Sequence, residues 1–112
     1  MHLKNFSLLS QKSGNYELSP AYDLLNVAIA NTNDNEELAL TLNGKKSRIN
    51  RDDFVEAAGK SGVSEVIVKR LVSNFEKCIP SWVQKIDESF LSDEMKDKYA
   101  ELIYDRMEQI MK

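Results

Sequence analysis

From Asn50 to the end of the chain, apolar residues recur every three or four positions in three blocks, each opened by a residue suited to capping a helix. That period puts apolar side chains on one face of an α-helix and does not match the two-residue period of a strand. In the first block Asn50 stands before the helix and Asp53 occupies the third helical position, the pattern of a capping box, with acids in the first turn favouring the dipole. Phe54, Val55, Ala57 and Ala58 make its apolar stripe, and Gly59 with Gly62 closes it. Ser64 opens the second block, where Val66, Ile67, Leu71, Val72, Phe75 and Ile79 keep helical spacing and Trp82, Val83 and Ile86 extend the stripe. Pro80 is expected to kink or split this helix, because its ring meets the carbonyl four residues back and it has no N–H to donate. Ser92 opens the third block, with Met95, Tyr99, Leu102, Ile103, Met107 and Ile110 on one face. Stripes of this kind are core more often than grooves for ligands or partners. Leu71 and Phe75 are therefore expected to be buried.

Residues 1–49 read differently. Phe6 to Leu9 alternates weakly, Gln11 to Asn15 has turn chemistry around Gly14, and Tyr16-Glu17-Leu18 alternates strictly, which together predict a β-hairpin. Pro20 ends the second strand, since it lacks the donor that a ladder requires. Ala21 to Ala30 is apolar enough for a helical turn or two, interrupted around Asn26, and Asn31 to Glu36 is a polar loop. Leu38, Leu40 and Leu42 would share one face of a further strand, ended by the turn signal Asn43-Gly44. The expected fold is mainly α with a small β-hairpin and strand region, in a single domain over residues 1–112 that divides into 1–49 and a helical 50–112.

Composition narrows the function classes without choosing one. A chain of 112 residues can bury an ordinary core without metal or disulfides, and its net charge of -3 gives no general attraction to nucleic acid or membrane. Cys78 is the only cysteine, which excludes an internal disulfide, fits a reducing compartment and is read as a small buried hydrophobe. No run approaches a membrane span, and the first residues lack the apolar stretch of a secretory signal, so a cytoplasmic location is expected. There is no zinc-ligand cluster, Walker motif or Ser-His-Asp order.

Two short stretches carry the chemistry: His2-Leu3-Lys4-Asn5-Phe6-Ser7, and Leu18-Ser19-Pro20-Ala21-Tyr22-Asp23-Leu24-Leu25. Taken singly, Lys4 and Asn5 read as loop residues and Asp23 as a helix cap. Taken together they resemble the HipA-like serine/threonine kinases, whose catalytic loop has the form Asp-x-His-x-Lys-Asn and is followed by a hairpin and a Pro-x-Tyr-Asp-Leu segment. His2-Leu3-Lys4-Asn5, the hairpin and Pro20-Ala21-Tyr22-Asp23-Leu24 stand here in that order. The Leu40 to Lys45 stretch and the helical tail also resemble that family, so the likeness is strong over residues 1–25 and looser beyond.

The resemblance implies ATP and magnesium as cofactors of the intact kinase, with Asn5 and Asp23 as the magnesium ligands. Hard oxygen donors suit that ion, and protein kinases hold it with a catalytic-loop Asn and a later Asp. Lys4 would neutralise phosphate charge, and His2 would support the loop. The general kinase pattern sets the base five residues before the Asn, which falls immediately before Met1. The base and the nucleotide-binding lobe are thus expected to lie outside these 112 residues, which would be inactive alone and hold no metal alone, with Asn5 and Asp23 near enough to share an ion. The implied partners are a separate N-terminal kinase part or a helix-turn-helix antitoxin of the HipB type, with DNA reached only indirectly. No membrane contact is implied, and exposed apolar surface would allow self-association. A binding module for the antitoxin or DNA, and a non-functional remnant, are the competing readings. The basic run Lys45, Lys46, Arg48 and Arg51 is a phosphate contact on the first of these and a solvated turn otherwise.

Overall fold

A computed structural model describes residues 6–20, 29, 33 and 35–112. Strands β1 (Leu8–Ser10) and β2 (Tyr16–Leu18) form an antiparallel hairpin in which Leu8 faces Leu18, Leu9 faces Glu17 and Ser10 faces Tyr16. Gly14 takes the left-handed conformation that closes the loop, at φ +82°, and its N–H donates to the Gln11 carbonyl at 2.9 Å. The helices whose full length lies among the described residues are α1 (Arg51–Lys60), α2 (Glu65–Asp87) and α3 (Asp93–Met111). Mainly helical with a small hairpin, the architecture is the one the sequence predicts.

The helix starts follow from their caps. The Asn50 side chain accepts from the Asp53 N–H at 3.1 Å, and the Asp53 carboxylate accepts from the Asn50 N–H at 3.0 Å, a reciprocal capping box. Ser92 accepts from the Met95 N–H at the head of α3. Ser64 precedes α2 in extended conformation but makes no side-chain cap bond. Gly62, at φ +82°, turns the chain after α1.

All three helices touch one another, and the most buried apolar side chains are Ile49, Val68, Ile79 and Met107. The face of α3 expected to be apolar core is half-buried or buried throughout. Val68 and Ile79 of α2, with Val72, Val83 and Ile86, line the side of α2 that is turned inward. Full burial of one such side chain contributes about 1.5–3 kcal/mol.

Three expectations change, and a fourth is narrowed. Of the kink or split expected at Pro80 the split does not occur, for α2 runs unbroken from Glu65 to Asp87 with Pro80 on its exposed side. Leu71 and Phe75 are each 49% exposed, because the apolar stripe of α2 is wider than the surface that α1 and α3 cover. Cys78 lies on the same uncovered side and is exposed. Leu38–Leu42 is not a strand but a loop closed by a single antiparallel bridge between Leu42 and Lys45. Lacking a partner strand, the alternation there has no ladder to join, and Leu40 points to solvent.

Candidate functional site

The described ends of the two motif-bearing stretches, Phe6-Ser7 and Leu18-Ser19-Pro20, meet at the base of the hairpin. Ser19 donates its N–H to the Ser7 carbonyl at 2.8 Å, and the two hydroxyls lie 2.9 Å apart. The Ser7 N–H reaches the Ser19 hydroxyl at 3.3 Å, which in turn contacts the Pro20 carbonyl at 3.2 Å. Ser19 is buried although both strands are exposed. A two-stranded hairpin is marginal alone, so this serine pair fixes where the chain leaves and returns. His2, Lys4, Asn5 and Asp23 lie outside the described residues. Sequence reasoning missed the serine pair; its only signal was a serine at each end of the alternating runs.

A second cluster joins the Asn43-Gly44 turn to the head of α1. Asn43 and Gly44 both have positive φ, 51° and 76°, as a tight hairpin turn of the primed kind requires. That backbone carries the Asn43 amide to the Asp53 carboxylate at 3.0 Å and to Glu56 at 2.9 Å, while the Lys45 ammonium reaches Asp53 at 2.9 Å. Asp53 is only 2% exposed. The Asn50 N–H, then Lys45, then Asn43 hold its carboxyl down at about 2 against an ordinary 3.8.

The basic run is thereby divided. Lys45 is spent on Asp53 and Lys46 pairs with Glu36 at 3.5 Å, while Arg48 turns its backbone to φ 53°. Two of the four cations thus meet carboxylates of the chain itself, as in a structured turn.

The third cluster centres on Glu37, whose side chain is 14% exposed. It accepts from the Arg48 and Ile49 N–H groups at 3.1 Å each, from Arg106 at 2.8 Å and from Gln109 at 3.1 and 3.2 Å. Burial opposes its charge, but the Gln109 bond, the Ile49 amide, the Arg106 guanidinium and the Arg48 amide together outweigh that and lower its pKa. Beside it opens an apolar cavity of about 400 Å³ lined by Leu38, Ile49, Phe54, Trp82, Leu102 and Ile103, among others. Among the described residues there is no cluster of three His, Cys, Asp or Glu side chains able to hold a metal, and no helix long and apolar enough to cross a membrane.

Comparison with protein-family models matches residues 1–83 to the HipA-like C-terminal domain. The chain belongs to that family. The matched stretch holds both motif-bearing segments, the serine-locked hairpin, the Asn43–Asp53 turn, α1 and most of α2. It bears out the looser likeness past residue 25 as far as Val83. The HipA-like match ends at Val83, so α3, which supplies Arg106 and Gln109 to Glu37 and Met107 to the core, lies beyond it.

Proposed function

We propose that this chain is the C-terminal part of a HipA-like protein serine/threonine kinase of the toxin–antitoxin kind, and that these 112 residues alone transfer no phosphate. The observation that carries the reading is the order of His2-Leu3-Lys4-Asn5 and Pro20-Ala21-Tyr22-Asp23-Leu24 about a hairpin closed by Ser7 and Ser19. That closure supports the reading, because a shared ion needs the chain to return between its two oxygen-bearing residues.

On this reading Asn5 and Asp23 are the magnesium ligands, an amide and a carboxylate oxygen, both donors that the ion accepts. Magnesium bound there would screen the phosphate charge of ATP during transfer. Two protein ligands leave most of its six positions to nucleotide and water, so the 112 residues alone hold it weakly. Lys4 adds positive charge near the phosphates, and His2 supports the loop. The base that accepts the substrate hydroxyl proton, and the lobe that covers the nucleotide, come from an N-terminal kinase part. A helix-turn-helix antitoxin is the regulatory partner, and DNA is reached through it.

Labelled ATP, magnesium and a generic serine-containing protein substrate, incubated with the 112 residues, should give no transfer above a blank. Adding an N-terminal kinase part should restore transfer, and Asp23→Ala should remove it again. Turnover by the 112 residues alone that Asp23→Ala abolishes would overturn the reading.

A further inference from the structure

Helix α2 has two apolar stripes, and among the described residues only one of them is covered. At 3.6 residues per turn, Val68, Val72, Ile79, Val83 and Ile86 form the stripe turned toward α1 and α3. Beside it lie Ile67, Leu71, Phe75, Cys78 and Trp82, with Ile67 47%, Leu71 and Phe75 49% and Trp82 36% exposed. The rings of Phe75 and Trp82 stand 6.0 Å apart and give this second stripe a continuous aromatic end. Trp82 also walls the apolar cavity beside Phe54, so the stripe runs into a recess able to take an anchoring side chain.

The charge around this stripe is one-sided. Its outer edge carries Arg70, Lys77 and Lys85 among Asn74 and Ser81, and no acid, while Glu65, Glu76 and Asp87 all fall on the opposite edge. Four residues either side of Arg70, Lys77 and Lys85 stand only Val, Asn and Ser. Glu88, three beyond Lys85, takes a bond from Gln84 at 3.0 Å. Among the described residues none of these three cations forms an ion pair, whereas Lys69 pairs with Glu65, Lys60 with Glu56 and Lys98 with Glu94.

We infer that the Ile67–Trp82 stripe of α2 is a docking face for an amphipathic helix of another protein, apolar along one side and acidic along the edge that meets Arg70, Lys77 and Lys85. Helix-in-groove recognition reads such a partner through apolar anchors one turn apart, and opposite charge along the rim sets its orientation. Charge disfavours a second copy in antiparallel pairing, since the two basic edges would then face each other. The inference does not rest on the kinase reading, and neither ATP nor magnesium enters its test.

The test uses two stapled helical peptides with the same leucine stripe, one edged with glutamate and the other with lysine. Trp82 is the only tryptophan, so its emission reports on the stripe directly. The glutamate-edged peptide should bind saturably and at least about tenfold tighter than the lysine-edged one, a difference of about 1.4 kcal/mol. The surface double variant Arg70→Glu/Lys85→Glu should erase or invert that preference. Leu71→Asp, with its fold checked by circular dichroism, should abolish binding of both. Equal binding of the two peptides, no binding of either, or a charge preference unmoved in the double variant would each overturn the inference. So would sedimentation as a dimer that Leu71→Asp dissolves, which would make a second copy the occupant.

Discussion

Gln109 donates its side-chain amide to both oxygens of Glu37, at 3.1 and 3.2 Å, across 72 residues of chain, and the same amide reaches the Ile49 carbonyl at 2.6 Å. One carboxylate therefore ties the loop before the Asn43 turn, the entry to α1 and the last turns of α3. Removing it leaves the Arg48 and Ile49 N–H groups and the Gln109 amide short of a partner. Glu37→Ala should destabilise the fold by about 1–3 kcal/mol, read as a lower urea midpoint. Arg106→Met, which removes the exposed ion pair and the exposed bond to the Gln109 side-chain oxygen, should cost less than Glu37→Ala, about 1 kcal/mol. Equal losses in the two variants would show that the hub is not the buried part of the network.

Acid should weaken the fold through Asp53. Its folded pKa, about 2, lies below the ordinary 3.8, so the folded state favours the charged form. The contribution is complete above 3.8 and is lost as pH falls through about 2. Glu37, whose pKa is also lowered, acts in the same direction. Urea melts over a pH series should show stability dropping across this window, with a shallower drop in Asp53→Asn. An unchanged slope in that variant would remove Asp53 as the cause.

The covered and uncovered stripes of α2 should respond unequally to truncation. Ile79 is 7% exposed, and Ile79→Ala should cost about 2–5 kcal/mol. Leu71→Ala, on the half-exposed stripe, should cost at least about 1 kcal/mol less, because little cavity is left behind. Thermal or urea unfolding of the two variants decides it, and comparable losses would mean that Leu71 is packed.

Arg48 sits at φ 53°, where a side chain crowds its own backbone at a cost of about 1–2 kcal/mol. Glycine escapes that cost but gives up more entropy on folding. Arg48→Gly should therefore leave stability unchanged or raise it by up to about 1 kcal/mol, as seen in the urea midpoint. A clear loss would show that the Arg48 side chain makes a contact that offsets its backbone.

Cys78 should react with a thiol reagent in the native state at a rate close to that of the unfolded chain, because it is exposed on α2. Strong protection in the folded monomer would place it under other residues.

Local chemistry was legible in the sequence. The caps at Asn50 and Ser92, the capping box to Asp53, the Asn43-Gly44 turn and the Leu8–Leu18 hairpin each depend on residues within about a dozen positions, and each is present. The order of the motif-bearing stretches was sufficient to indicate the HipA-like family, and the family match agrees. What periodicity could not decide was coverage. It counts apolar positions on a helix, but whether a neighbour reaches them depends on how the helices pack, so Ile79 is buried while Leu71 and Phe75, on the same broad stripe, are not. Nor could it decide pairing between distant charges. Lys45 read as one of four cations in a basic run until the turn set it against Asp53, and Glu37 carried no signal of its own until α3 brought Arg106 and Gln109 to it. Caps and turns are settled by bonds between near neighbours in the chain. Burial and long-range polar contacts are settled by which surfaces meet, and only the tertiary structure brings those surfaces together.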